Sequence, residues 1–280
     1  MSASARLAGL ARWCVAAVSR LRGWLGLTWR GLWALGAATL ALGATVSVLG
    51  AVSEDVTQHD GLASPDVANL GFFTDHRSDL LVRAARILSD FGGVLSLIVL
   101  AIAAGLLLWR GGLPLVVAAA PAFALGVAAA LGEVTKHVVD RARPGVGFRL
   151  VAVPEPSFPS GHATDSAALF LTLGLVLAVF VFRRPPARIA IVVGGGVIVT
   201  AIGVSRLVLG VHWPTEVLAG WALGAAAALS VTIGATFITR LVPRDPHSPE
   251  GRLRRVGLRL GHLLAAERPL VRRRGTLPAA

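Results

Sequence analysis

Long apolar runs alternate with short polar clusters along the chain. Six windows contain no charged residue, and they cover residues 31–53, 91–109, 111–132, 166–182, 189–205 and 217–239. A helix that crosses a bilayer needs about 20 apolar residues, within a range of about 17–25. One such run could be a buried core helix, but six in succession could not. The pattern therefore predicts an all-α, polytopic membrane protein with six transmembrane helices.

The segments outside these windows are basic or amphipathic. Residues 1–30 carry arginines at irregular spacing, which predicts a basic interfacial N-terminal segment. Apolar residues recur at helical spacing between Leu80 and Phe91, so we expect an amphipathic helix on the outer surface that enters the second span. Residues 241–280 are predicted to be a basic cytoplasmic tail, whose leucines and arginines fit either a membrane-surface helix or a disordered segment. The six-span domain is then predicted to cover residues 31–240.

Composition narrows the class of protein further. Hydrophobic residues make up 55% of the chain and charged residues 15%, whereas soluble domains have about 25% charged residues. So little charge cannot cover a globular surface, which excludes a soluble monomer, and so much apolar surface excludes a disordered chain. The single cysteine, Cys14, excludes an internal disulfide and any cysteine-based metal site.

The net charge of +12 would indicate nucleic-acid binding only if the basic residues formed a patch on the surface of a folded soluble domain. If both termini are cytoplasmic, 19 of the 27 basic residues and 3 of the 15 acidic residues lie inside. Basic residues concentrate on the cytoplasmic side of membrane proteins. The charge therefore predicts a multi-pass cell-membrane protein with this orientation, whose basic termini contact anionic inner-leaflet lipids and not nucleic acid.

Three polar clusters lie at the ends of predicted spans. The first covers residues 136–144 after the third window, the second covers 158–162 before the fourth, and the third covers 205–216 between the fifth and sixth. Two spans separate His162 from His212, and an even number of crossings returns the chain to the same side. We therefore expect the three clusters to meet at the extracytoplasmic interface.

The basic residues of these clusters suit a tetrahedral anion. Lys136 is the only lysine in the chain, and it precedes Arg143 by seven residues. This spacing predicts that both lie on one face of a helix, which Pro144 would end. Ser160 and Gly161 precede a long apolar run, where the free N–H groups of a helix N-terminus favour an anion.

The third cluster adds a planar donor and a possible nucleophile. Arg206 has the fork geometry that binds phosphate oxygens. Pro214 predicts a helix start that puts Glu216 in the first turn. Its carboxylate can accept a hydrogen bond from one ring nitrogen of His212, which leaves the other nitrogen as a nucleophile. The clusters thus combine basic groups, backbone donors and two histidines, His162 and His212. This combination predicts an anion-binding site that also catalyses a reaction.

These positions resemble the three signature motifs of the type 2 phosphatidic acid phosphatase superfamily. The matching residues are Lys136-x6-Arg143-Pro144, Pro159-Ser160-Gly161-His162 and Ser205-Arg206-x5-His212-x3-Glu216. The resemblance extends to Arg141, Gly210 and residues 217–220, and it covers the chain from about the second span to the sixth. It departs at Glu216, where the family usually has aspartate.

The resemblance implies a metal-independent membrane phosphatase that needs no cofactor and works through a phosphohistidine intermediate. His212 is implied as the nucleophile, Glu216 as its orienting partner and His162 as the acid that protonates the leaving oxygen. The residues implied to hold the phosphoryl oxygens are Lys136, Arg143, Ser160, Gly161 and Arg206. The implied substrate is a lipid phosphate or diphosphate of the phosphatidic acid, phosphatidylglycerol phosphate or undecaprenyl diphosphate type.

Two other functions stay open at this point. A non-enzymatic lipid-phosphate binder or transporter would also need ionisable groups, although transporter charges gather near the midplane of broken helices and not at span ends. A vanadate-dependent haloperoxidase would share the family's anion site, but six spans argue against it. The position of the charges therefore favours the phosphatase.

Overall fold

The computed structural model describes residues 28–153 and 156–241, together with residues 13, 16, 19 and 23. The predictions for the basic segment 1–30 and for the tail 241–280 lie almost entirely outside this part of the chain. Over the described ranges the chain forms helices and no β-strand, which confirms the all-α prediction.

Nine α-helices follow one another in the described ranges 28–153 and 156–241. They are α1 (Trp29–Gln58), α2 (Asp66–Asp75), α3 (Asp79–Phe91), α4 (Val94–Arg110), α5 (Leu115–Ala118), α6 (Ala120–Val139), α7 (Gly161–Val176), α8 (Pro185–Val208) and α9 (Pro214–Leu241). A π-helical segment, Leu177–Val181, extends α7.

Five of these helices are long and apolar enough to cross a membrane: α1, α6, α7 with its extension, α8 and α9. Helices α3 and α4 meet the same criterion together, but they are bent by 55° where Gly92 and Gly93 join them. The described part of the chain therefore has five candidate spans, or six if the bent pair counts as one span. The sequence predicts six spans. The third window is displaced, because α6 begins at Ala120 and runs on to Val139.

The predicted amphipathic helix is present as α3. Its apolar residues Leu80 and Ile87 are exposed on the bundle surface, where lipid would cover them. Its buried positions are Ala85 and Ser89, and the helix packs against α8. This packing brings a polar side chain of α3 towards the ends of α7 and α8.

Small residues allow the central helices to approach closely. Helices α7 and α9 share the most extensive contact, and Ala124, Ala128, Ala168 and Ala227 form a cluster between α6, α7 and α9. Such small-residue interfaces are the usual way in which helices pack in membranes. Helix α1 runs antiparallel to α9, so that its Val52 and Val56 pack near the start of α9.

Helix ends meet at one end of the bundle, where α6 and α8 finish and α7 and α9 begin. Most of the buried polar side chains gather there, and the cluster contains Asp66, Ser89, Ser157, Ser160, Arg206, His212, Thr215 and Glu216. The fold thus brings distant segments together around one polar region in an otherwise apolar bundle.

Candidate active site

His212 lies in the short turn between α8 and α9, and only 2% of its surface is exposed. Its Nδ1 atom is 2.7 Å from Oε2 of Glu216, in the first turn of α9. This is the contact that the four-residue spacing predicts. The carboxylate accepts the Nδ1 proton, so the lone pair of the ring lies on Nε2.

Glu216 is completely buried, and several donors converge on its carboxylate. The backbone N–H of Trp213 is 3.2 Å from Oε2, and the Ser157 hydroxyl donates to Oε1. Arg141 Nη1 lies 3.5 Å from Oε1. These donors and the guanidinium charge offset the cost of burying a carboxylate, and they fix its orientation.

Arg143 approaches the other side of the imidazole. Its Nη1 is 3.0 Å from Nε2 of His212 and 2.9 Å from the carbonyl oxygen of Val211. Its Nη2 lies 3.4 Å from the carbonyl oxygen of Pro156. A guanidinium fork therefore stands where an anion bound at Nε2 would need positive charge.

The prediction that Lys136 and Arg143 lie on one face of the same helix is wrong. Helix α6 ends at Val139, because Asp140 adopts a left-handed conformation with φ 44° and its N–H bonds the Lys136 carbonyl at 2.9 Å. Such a cap ends a helix, and the residue before Pro144 is also disfavoured from helical geometry. Lys136 reaches the site from α6, whereas Arg143 reaches it from the following loop.

The electrostatic surroundings keep His212 neutral. Burial lowers the pKa of its imidazole well below the ordinary value, and the positive charges of Arg143 and Arg206 lower it further. His162 and Lys136 act on the ring in the same direction. Residues from all three sequence clusters are therefore close enough to His212 to influence its protonation.

Ser89 of α3 links His162 to Arg206. The His162 side chain forms a hydrogen bond with the Ser89 backbone, and Arg206 Nη1 donates to the Ser89 hydroxyl. No motif in the sequence predicts a role for Ser89. Its position on the face of α3 opposite the exposed apolar residues is a signal of burial, but not of a functional contact.

Ser160 and Gly161 lie at the start of α7, next to Glu216. The N–H of Ser160 donates to the Glu216 carbonyl at 3.0 Å. A Cβ at Gly161 would lie 3.7 Å from Lys136 Nζ, which forms an ion pair with Glu133 at 2.5 Å. Within the described ranges, Ser160 Oγ and Arg206 Nε are buried without a hydrogen-bond partner. All eight predicted site residues therefore lie at this end of the bundle.

The turn that presents His212 is held by contacts on both sides. Gly210 adopts φ 70°, and a Cβ there would collide with the Phe148 carbonyl. Arg77 donates from Nε to the Val208 carbonyl at 2.7 Å and from Nη2 to the Phe148 carbonyl at 2.6 Å. A glycine is thus required by both the backbone conformation and the close approach.

These features define a polytopic α-helical membrane protein with a buried polar site that contains two histidines. The chain belongs to the PAP2 superfamily, whose sequence profile matches residues 117–240. The matched region contains every residue of the predicted site.

Curated relatives agree with this assignment. The chain is 36% identical to phosphatidylglycerophosphatase B of Bacillus subtilis over 98 residues, which are 34% of this chain and 46% of that protein. It is 35% identical to undecaprenyl-diphosphatase of Sulfolobus acidocaldarius over 127 residues, or 39% of this chain and 52% of that protein. The chain thus spans about half the length of these two relatives. Decaprenylphosphoryl-5-phosphoribose phosphatase of Mycobacterium tuberculosis is 35% identical over 155 residues, or 54% of this chain and 78% of that protein.

A solved structure has the same fold. It is a transmembrane PAP2-type phosphatidylglycerolphosphate phosphatase from Bacillus subtilis, with a TM-score of 0.63 and 23% sequence identity. The alignment covers 73% of this chain and 98% of that one. At this identity the likeness concerns the fold.

Proposed function

We propose that the protein is an integral membrane phosphatase that removes the terminal phosphate of a lipid phosphate or diphosphate. The observation that carries the proposal is the buried His212–Glu216 pair, whose Nδ1–Oε2 contact of 2.7 Å leaves Nε2 as the nucleophilic atom. A lipid-phosphate binder needs cationic donors, but it has no use for an imidazole oriented by a buried carboxylate. The pair therefore favours an enzyme over the binder or transporter.

Buried donors beside the pair support phosphate as the bound group. Ser160 Oγ and Arg206 Nε lack a hydrogen-bond partner among the described residues. A buried polar group without a partner is costly, and a phosphoryl group would provide acceptor oxygens. These two donors would hold the three non-bridging oxygens of the phosphoryl group. Lys136, Arg143 and the N–H groups of Gly161 and its neighbours would hold the same oxygens.

In the first chemical step, Nε2 of His212 attacks phosphorus and the bond from phosphorus to the lipid oxygen breaks. Arg143, which donates to Nε2 at 3.0 Å, transfers that donor to a phosphoryl oxygen when the substrate binds. His162 gives its proton to the leaving oxygen. Glu216 stabilises the positive charge that develops on the imidazole as the phosphohistidine forms.

In the second step, water attacks the phosphohistidine and the phosphorus–nitrogen bond breaks. His162 accepts the proton of the water, so that inorganic phosphate leaves and both histidines return to their starting states. General acid–base catalysis supplies only about 10²–10⁴ of the acceleration, whereas phosphomonoester hydrolysis needs up to ~10²¹. Positioning and positive charge from Lys136, Arg143 and Arg206 must therefore supply most of the rest.

The lipid substrate and the orientation belong to the same proposal. The three curated relatives are named as phosphatases of phosphatidylglycerophosphate, undecaprenyl diphosphate and decaprenylphosphoryl-5-phosphoribose. A site at the helix ends would receive a head group at the membrane interface while the acyl or prenyl chain stays in the bilayer. We place the site on the extracytoplasmic side and both termini in the cytoplasm, where the basic segments would bind anionic lipids.

Replacement of the nucleophile tests the function. We expect His212→Gln to lower phosphate release from purified lipid phosphates in detergent by more than about 10³-fold, because the covalent step is removed. His137→Gln is the matched control, since His137 is exposed on α6 and should leave the rate unchanged. An alkaline quench of the unaltered protein with ³²P-labelled substrate should retain label on His212. Release by His212→Gln at the control rate would contradict the phosphohistidine mechanism, and binding without any release by the unaltered protein would favour the binder.

A further inference from the structure

A buried aspartate outside the matched family region contacts the base of the site. Asp66 is the first residue of α2, and only 2% of its surface is exposed. No sequence motif includes Asp66, and it lies before residues 117–240. A carboxylate this deeply buried in an apolar bundle is rare unless it is fully paired.

Asp66 binds the first turn of α9. Its Oδ1 accepts the Thr215 N–H at 3.1 Å, and its Oδ2 accepts the Thr215 hydroxyl. The N–H groups of a first helical turn have no partner within the helix, and a negative charge beside them is favourable. Asp66 belongs to a different helix and anchors α9 at Thr215. This contact lies one residue before Glu216.

Asp66 also holds Arg141. Arg141 Nη2 is 2.8 Å from Asp66 Oδ2, and Nη1 donates to the Thr215 hydroxyl at 2.9 Å. The three side chains thus form a closed ring of hydrogen bonds, in which the Thr215 hydroxyl both donates and accepts. The guanidinium also lies 5.6 Å from the centroid of the Trp213 ring.

This ring of hydrogen bonds is linked to His212, the proposed nucleophile. Arg141 Nη1 lies 3.5 Å from Glu216 Oε1, and the opposite oxygen of Glu216 accepts the His212 Nδ1 proton at 2.7 Å. Asp66 is therefore connected to His212 through Arg141 and Glu216, and again through the backbone of α9. Glutamate has one more side-chain torsion than aspartate, so residue 216 needs more external support to keep one orientation.

We propose that Asp66 is a positioning residue for the reaction under "Proposed function", on which this inference rests. It fixes Arg141 and the first turn of α9, and through them it sets the orientation of the Glu216 carboxylate and the Nδ1–H tautomer of His212. Asp66 does not touch the reacting atoms, so its removal should slow the chemical step while substrate binding is retained.

The first test is Asp66→Asn in the full-length protein. The amide keeps the shape but presents an N–H₂ group to donors of Thr215 or Arg141, so the ring cannot close. We expect kcat for phosphate release to fall by about 10²-fold, while KM changes by less than about threefold. Asp75→Asn, in the exposed last residue of the same helix, is the matched control and should keep both values.

A second readout separates positioning from general damage. In ¹⁵N-histidine NMR spectra, the His212 signals are identified by their loss in His212→Gln. We expect one Nδ1–H tautomer in the unaltered protein and a mixture of tautomers in Asp66→Asn. A folded Asp66→Asn protein with unchanged kcat and an unchanged tautomer would overturn the proposal.

A further variant covers the case in which Asp66→Asn does not fold. Thr215→Val keeps the β-branched shape but removes the hydroxyl that joins Asp66 to Arg141, and it should lower kcat in the same direction by a smaller factor. Unchanged kcat and tautomer in this variant would overturn the proposal. If the unaltered protein releases no phosphate, the proposed function fails, and the tautomer spectra alone then decide whether Asp66 positions His212.

Discussion

In the proposed reaction His212 must be uncharged to attack phosphorus, and its position makes protonation unfavourable. The ring is removed from water, and the guanidinium of Arg143 lies 3.0 Å from Nε2. Both effects lower the pKa of the imidazole below its ordinary value. The proposed nucleophile is therefore uncharged at neutral pH without help from a separate base.

The lowered pKa of His212 also predicts how stability depends on pH. In the unfolded chain the imidazole takes up a proton near pH 6.5, whereas in the folded protein it does so only at lower pH. The unfolded state thus binds more protons below about pH 6.5, and stability falls as pH decreases, by up to about 1.4 kcal/mol per unit for this group. We expect thermal unfolding between pH 7.5 and 5.0 to show a smaller loss of Tm for His212→Gln than for the unaltered protein. Parallel Tm curves would contradict the assignment of a lowered pKa.

At the level of single residues, the sequence was informative where function imposes a fixed spacing. His212 and Glu216 are four residues apart and meet because a short turn leads directly into α9. Asp66 and Ser89 could not be predicted, since their partners lie 149 and 117 residues away in the chain. No local pattern specifies such contacts, because they depend on how whole helices pack.

Helices α7 and α9 pack tightly near the site, and glycine makes this close packing possible. A Cβ at Gly224 would lie 2.6 Å from Ala167 Cβ and 2.9 Å from the Ala168 nitrogen. Both neighbours belong to α7, which begins at Gly161 directly after Ser160. The spacing of these two helices therefore sets how the N-terminus of α7, the proposed phosphate-binding element, lies relative to the His212–Glu216 pair.

We predict that Gly224→Ala destabilises the bundle by about 1–3 kcal/mol, because the added methyl group must displace backbone in a close-packed interface. Gly234→Ala on the same helix is the control, since a Cβ there meets nothing within 4 Å. It should be neutral, or stabilising by up to about 1 kcal/mol through helix propensity. The difference in Tm of the two purified variants in detergent measures the effect, and equal values would contradict the packing argument.

Helix boundaries were harder to predict than helix positions. The apolar windows located α1, α8 and α9 to within a few residues, because burial in lipid requires a continuous apolar run. The end of α6 was placed too late, because Lys136 and Arg143 fit a helical spacing that the left-handed Asp140 interrupts. The loop that follows is held by distant contacts, such as Arg141 with Asp66, and these are invisible to periodicity.

Taken as a whole, the molecule has two chemically different ends. The site end holds the buried polar cluster, whereas the other end carries Arg183 and Arg184 in the turn between α7 and α8 and Arg188 in the first turn of α8. Arginines at short connections oppose translocation, so this turn is expected to remain in the cytoplasm. In the orientation that we propose, the site opens on the opposite side, where a lipid phosphate would have to be presented by the outer leaflet.

Cysteine labelling tests this orientation. In a Cys14→Ser background, Val146→Cys places a thiol in the α6–α7 loop, at a residue whose surface is 86% exposed. Pro186→Cys places one at the exposed start of α8 and keeps every arginine. We expect a membrane-impermeant maleimide to label Val146→Cys on intact cells and Pro186→Cys only after lysis, because α8 separates its start from the site. The reverse pattern would place the site in the cytoplasm, and its substrate would then be a lipid of the inner leaflet. Labelling of both thiols on intact cells would contradict α8 as a span.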